Sequence, residues 1–149
     1  MSETSPQPNA GSDEEKEKIS HTIAMLGLTG AANDVKWGRL IDAMRTRDDW
    51  TPSYRFNCVD SDYVSPWDVE WWYHLPFPMV SVRWFDIGCW QEVGRGRLLE
   101  PEIIDHSDWI LPLLDEIGFC YDMVGEIVRL HGYLPKSFDG LEDLIENQQ

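Results

Sequence analysis

The stretch Trp67-Asp68-Val69-Glu70-Trp71-Trp72-Tyr73-His74 places two carboxylates and an imidazole close together in the chain. Such groups, brought into contact, transfer protons or hold a metal ion. Read as a strand, Asp68, Glu70, Trp72 and His74 share one face. At about 3.3 Å per residue, Asp68 and His74 then stand roughly 20 Å apart. On that reading they serve neither one substrate atom nor one metal. The face becomes a solvated sheet surface with Trp72 as a binding anchor.

A second group, Asp105-His106-Ser107-Asp108, offers ligand atoms in a loop, but helix capping accounts for the Ser and at least one acid. His131 falls on an expected strand and His21 on an expected helix, each without a partner nearby in sequence. No nucleophile elbow, phosphate loop, dinucleotide fingerprint or zinc-protease helix motif occurs. Gly94-Arg95-Gly96-Arg97 lacks the third glycine of a nucleotide site and reads as an exposed turn. The three cysteines, Cys58, Cys89 and Cys120, are odd in number and widely spaced, which argues for reduced thiols and against a disulfide framework or a zinc knuckle. No catalytic residue, metal or cofactor is expected from these patterns.

These groups sit among elements of two periods. Ser12 and Glu15 form a capping-box pattern ahead of a helix carrying Ile19, Ile23 and Leu26, which Gly27 and Gly30 end. Asn33 caps a second helix with Trp37, Leu40, Ile41 and Met44 on one side, ending near Arg47. Tyr54 to Val59 alternates as a strand. Residues 68–74 and 79–86 are expected to pair as a hairpin about Leu75-Pro76-Phe77-Pro78. That register sets Trp71 against Val82, Val69 against Trp84 and Glu70 against Arg83. Residues 88–104 carry a turn at Gly94–Gly96 and no clear period. Ser107 or Asp108 begins a third helix with Ile110, Leu113, Leu114 and Ile117 inward, Pro112 in its first turn or at a kink, and Gly118 at its end. A second hairpin turns at Gly125, and a short helix runs from Asp139. Segregated runs of this kind indicate an α+β fold. The expectation is an antiparallel sheet of about five strands, two hairpins plus a strand, packed with three to four helices. Residues 1–11 read as a polar tail, and 12–149 as a single domain. The expected core is Trp37, Leu40, Ile41, Phe56, Val69, Trp71, Val82, Trp84, Leu113, Leu114, Ile117 and Val128.

The net charge is −15, and residues 100–149 hold 12 acids against 2 bases. A field of that sign repels nucleic acid and speeds encounter with a basic protein. No apolar run approaches the ~20 residues of a membrane span, and the polar start lacks the apolar stretch of a secretory signal. The eight tryptophans exceed what one core of this size absorbs easily, so Trp72, Trp67 and Trp90 are expected to be partly exposed.

The segments Val35-Lys36-Trp37 with Leu40-Ile41, Glu70 to Pro76, and Val82 to Ile87 resemble a family of small uncharacterised bacterial proteins, a domain of unknown function, over roughly residues 35–135. The resemblance implies a bacterial, cytoplasmic origin and brings no active site with it. Composition and motifs together point to an acidic protein-binding module, in its sharpest form an immunity or antitoxin-like inhibitor of a basic partner. Trp72, Trp67, Trp90, Glu102, Asp105, Asp108 and Glu126 are its expected contact residues. Two alternatives are a small hydrolase using Glu70, His74 or the 105–108 cluster, and a homodimer joined through its tryptophans.

Overall fold

The computed structural model describes residues 11–147; nearly all of the expected tail, 1–11, lies outside them. The helix signals of the sequence are realised locally. In α1 (Asp13–Leu26) the Ser12 hydroxyl accepts from Glu15 N, the Glu15 carboxylate accepts from Ser12 N, and Gly27 ends the helix at φ 66°. In α2 (Asp34–Arg45) Asn33 Oδ1 accepts from Lys36 N at 2.9 Å, and Trp37, Leu40, Ile41 and Met44 are buried. In α3 (Ser107–Ile117) the N-cap is His106 and makes no side-chain cap bond, so Ser107 does not cap as expected, although Asp105 Oδ1 accepts from Ser107 N. Ile110, Leu114 and Ile117 are buried, Leu113 is half-buried, and Gly118 takes the left-handed conformation at φ 97°. Pro112 lies inside α3, beyond its first turn.

Four strands make the central sheet: β2 (Tyr54–Cys58), β3 (Val82–Gly88), β7 (Ile127–His131) and β6 (Tyr121–Val124), antiparallel in the spatial order β2-β3-β7-β6. Gly125, at φ 61°, turns β6 into β7. Beyond the sheet, β4 (Trp90–Val93) and β5 (Glu102–Asp105) form a separate two-stranded ribbon. Thr29–Gly30 (β1) pairs with Tyr133–Leu134 (β8), and Glu142–Asn147 is α4. The fold is α+β with all pairing antiparallel.

A bulge decides which residues face the core. Asn57 pairs with Trp84 but Cys58 with Val82, so β3 holds Arg83 as an extra residue. Alternation resets there. Val82, Phe85 and Ile87 pack into the main core with α2 and α3, whereas Trp84 and Asp86 turn to the other face. The main core is aromatic: Phe85 lies 5.5 Å from Trp37, 5.2 Å from Tyr54 and 5.6 Å from Trp71 between ring centroids. On the opposite face Leu141, just before α4, packs against Val124 of β6 and Ile127 of β7, with Phe138 and Leu144 at the margin.

The hairpin expected between 68–74 and 79–86 does not form. Residues 69–78 are a loop, 79–81 a single 3-10 turn, and Asp68 forms an isolated bridge to Tyr54. Local side chains supply the reason. Asp68 Oδ1 accepts from Glu70 N, and Glu70 Oε1 accepts from both Trp72 N and His74 N. These bonds occupy the amides a ladder would need. Trp71 and Trp72 are both buried, where the hairpin expected here would have left Trp72 on a solvated face. Val69, expected in the core, is 64% exposed. Glu70 does not meet Arg83, and Phe56 is only half-buried.

Candidate functional site

The ribbon continues β3 outward. Cys89 joins β3 to β4, its N–H donates to Glu126 O, and its carbonyl accepts from His106 N. Pairing with β7 ends at Gly88↔Ile127, and β4 leaves the sheet to pair with β5. Register places Trp90 opposite Asp105 and Glu92 opposite Ile103, all on one side of the ribbon. That side forms a cleft of about 330 Å³ against Trp67, Gly88 and Glu126. Trp67 is 42% exposed, Trp90 47% and Ile103 50%. The Arg55 guanidinium lies 4.9 Å from the Trp67 ring centroid and supports it from the sheet side. A side chain at Gly88 would press on Ser53 Oγ and reach the Trp67 ring, so the glycine keeps this wall of the cleft open.

The structure thus brings Trp67, Trp90 and Glu126 together, with Asp105 on the same ribbon face. Asp105 is partly committed: its Oδ1 accepts from Ser107 N at 2.9 Å, and that backbone bond holds its carboxyl below the usual range. Glu102 lies opposite Val93 on the other ribbon face, and Asp108 sits in the first turn of α3. Trp72 is not part of the surface. It is 5% exposed, beneath the Arg45 guanidinium, because the 69–78 loop folds it inward. The expectation of Trp72 as an exposed anchor is corrected on that ground.

The polar clusters resolve differently from one another. Asp68 and His74, expected about 20 Å apart on a strand, are in contact, with Nδ1 2.7 Å from Asp68 Oδ2. The loop curls them together. The Glu70 N–H, and after it His74, hold the Asp68 carboxyl below its ordinary value. His106 is a packing residue. Its Nδ1 accepts from Trp109 Nε1 at 2.8 Å, which leaves Nε2 as the protonated nitrogen facing Gln91 Oε1 at 2.8 Å, and its ring stacks on Trp50 at 4.0 Å. His131 is fully buried, its Nε2 2.8 Å from Asp122 Oδ2. Among the described residues no group of three or more His, Cys, Asp or Glu side chains is placed to hold a metal ion. All three cysteines are free thiols, and burial pushes that of Cys89 up to about 12.

A family model, described as a family of unknown function (DUF6678), matches residues 19–137. The chain belongs to the DUF6678 family. No curated protein and no solved structure is detectably similar to it. The DUF6678 match takes in the whole central sheet, the ribbon and both walls of its cleft, and leaves out the first turns of α1 and all of α4. No helix among the described residues of this DUF6678 chain is long and apolar enough to cross a membrane. The ribbon itself had no clear sequence signal. The turn between the two strands falls at Arg97 and Leu98, not at the expected Gly94–Gly96, and the alternation of Trp90 to Val93 and Glu102 to Asp105 becomes legible only when the two short segments are seen to pair.

Proposed function

We propose that this protein is an acidic protein-binding module, an immunity or antitoxin-like inhibitor acting in the cytoplasm, and that the ribbon cleft receives a basic protein partner. One observation carries the reading. Trp67, Trp90 and Ile103, all large and apolar, stand about half exposed in one cleft whose charged members, Glu92 and Glu126, are both acids. Exposed Trp grouped with apolar neighbours is the composition of binding hot spots. Carboxylates at the margin steer a cationic partner and set orientation. The ribbon adds open strand edges, since among the described residues β4 and β5 pair only with each other.

The test is a pull-down from the source cell with wild-type and Trp90→Ala baits, washed at low and high salt and read by mass spectrometry. A basic protein retained by wild type at low salt, weakened by salt and lost with the variant, supports the reading. Retention that is indifferent to both salt and Trp90 overturns it. The Asp68–His74 contact favours a second reading as a small hydrolase, because His74 Nε2 stays open on a side chain that is 60% exposed. Hydrolysis of an ester panel that disappears in His74→Ala supports that second reading.

A further inference from the structure

The outer face of the central sheet holds another cavity, of about 660 Å³, bounded by β2, β3, the end of α1 and the loop that follows β2. The bulge at Arg83 builds its floor, because it turns Arg83 and Trp84 to the same side. Arg55 and Arg129 belong to this sheet face too, and both are paired with Asp86. Arg83 differs. Among the described residues it makes no ion pair and no side-chain hydrogen bond, and its Nε is buried without a partner. Leaving a charged donor buried and unsatisfied is unfavourable, and unpaired groups of this kind are uncommon in native structures.

Carboxylates are at hand, yet they stand off. Asp60, Asp62 and Asp139 line the same cavity and are exposed at its rim, while Arg83 is half-buried below them. Asn57 Nδ2 donates to Ser61 O at 2.8 Å and to Tyr63 O at 2.9 Å, which pins the loop carrying Asp60 and Asp62. Arg129 Nη1 donates to Asp139 O at 2.7 Å, which pins the opposite side. The cavity therefore has a half-buried cation, exposed anions, and apolar lining from buried Val59 and the more exposed Leu26 and Val64.

We propose that this cavity binds a free α-amino acid with an aliphatic side chain, its carboxylate on Arg83 and its ammonium toward the aspartate rim. A phosphate ester would bring two negative charges past three carboxylates. A diamine would drive a cation onto Arg83. A ligand with one charge of each sign satisfies both ends, and the apolar wall takes the side chain. A planar guanidinium suits the carboxylate in particular, since it donates two parallel hydrogen bonds. The site is separate from the ribbon cleft and does not depend on the proposed partner.

The experiment screens the full chain against the twenty L-amino acids by thermal shift. Calorimetry then compares L-leucine with 3-methylbutylamine and 4-methylpentanoate, which each lack one of its charges. The expected result is saturable binding of aliphatic amino acids, with each single-charge analogue at least about tenfold weaker, equivalent to ~1.4 kcal/mol. In Arg83→Gln, leucine and 3-methylbutylamine should bind alike; in Asp60→Asn/Asp62→Asn, leucine and 4-methylpentanoate should. Arg83→Lys, which keeps the charge, should retain part of the affinity. If Arg83→Gln does not fold, the analogue comparison on wild type still decides. No saturable binding of any amino acid overturns the proposal. So does an amine that binds wild type as tightly as leucine, which would show an acidic rim and nothing more.

Discussion

Asp86 and Arg129 face each other across β3 and β7, both without any exposed side-chain surface, joined by two hydrogen bonds of 2.7 and 2.9 Å. Arg55, opposite Asp86 on β2, adds a third at 2.8 Å. The remaining Arg129 nitrogen donates to the carbonyls of Ser137 and Asp139, and the guanidinium lies 3.6 Å over the Trp84 ring. One buried ion pair thus ties three strands to the segment that covers them.

Removing one partner of this pair should cost more than removing both. Arg129→Met leaves Asp86 buried with only Arg55 and frees two carbonyls, and a loss of about 3–5 kcal/mol is expected. Asp86→Leu/Arg129→Met should lose less than the two single changes added. Urea denaturation of the three variants measures this, and strict additivity would contradict it.

Trp84→Ala should destabilise by about 3–5 kcal/mol, the usual range for a large aromatic truncated in a closely packed site. Trp84 is 1% exposed, stacked by Arg129 and approached by Arg55. A denaturation midpoint equal to wild type would be incompatible with this packing.

Gly132 follows β7 where the backbone of β3 runs against it. A Cβ there would overlap the Val82 carbonyl, and the Gly132 N–H donates to Arg83 O at 2.9 Å. Gly132→Ala must displace backbone rather than a flexible side chain, so a cost of about 2 kcal/mol or more is expected. Thermal denaturation of the variant checks it.

The His131 ring links stability to pH. Burial is the largest influence and lowers its pKa below 6.5, against an opposing pull from Asp122. A histidine whose folded pKa lies below its unfolded value favours folding while neutral. Its contribution is complete above pH 6.5 and declines as pH falls toward the folded pKa. Stability should therefore fall as pH drops from about 6.5, ahead of the carboxylate range near 4. His131→Gln should flatten that slope, as read by denaturation midpoints between pH 7 and pH 5.

On the ribbon cleft, charge and aromatic contact should separate kinetically. Glu92→Lys/Glu126→Lys should slow association with a basic partner and flatten its salt dependence, since exposed charges are screened over about 8–10 Å at physiological salt. Trp90→Ala should instead speed dissociation, with a loss of about 2 kcal/mol. Its fold should be unaffected, because the ring is 47% exposed. Association and dissociation rates at two salt concentrations distinguish the two effects.

The sequence by itself determined the caps of the first two helices, an inward helix stripe and one tight turn, which depend on neighbours within a few residues. The Ser12–Glu15 capping box, the Asn33 cap, the inward stripe of α2 and the turn at Gly125 are local patterns, and each appears where its residues place it. Of the three tryptophans expected to be partly exposed, Trp67 and Trp90 are and Trp72 is not, and nothing in the sequence placed the first two in one cleft with Glu126. The tertiary structure decided the rest. Residues 68–74 alternate well enough for a strand, but Asp68 and Glu70 bond the loop's own amides, and two adjacent tryptophans find burial on different neighbours: Trp71 on Tyr54 and Phe85, Trp72 under Arg45. The same folding brings Asp68 to His74. Arg83 lacks the cross-strand partner expected of it because residues 69–78 form a loop that does not pair with β3, and the β2–β3 bulge separately turns Arg83 and Trp84 to one face. Bulges, loop burial and the Asp86–Arg129 pairing depend on segments tens of residues apart. Their energies are set only once those segments meet, and no period along the chain records them.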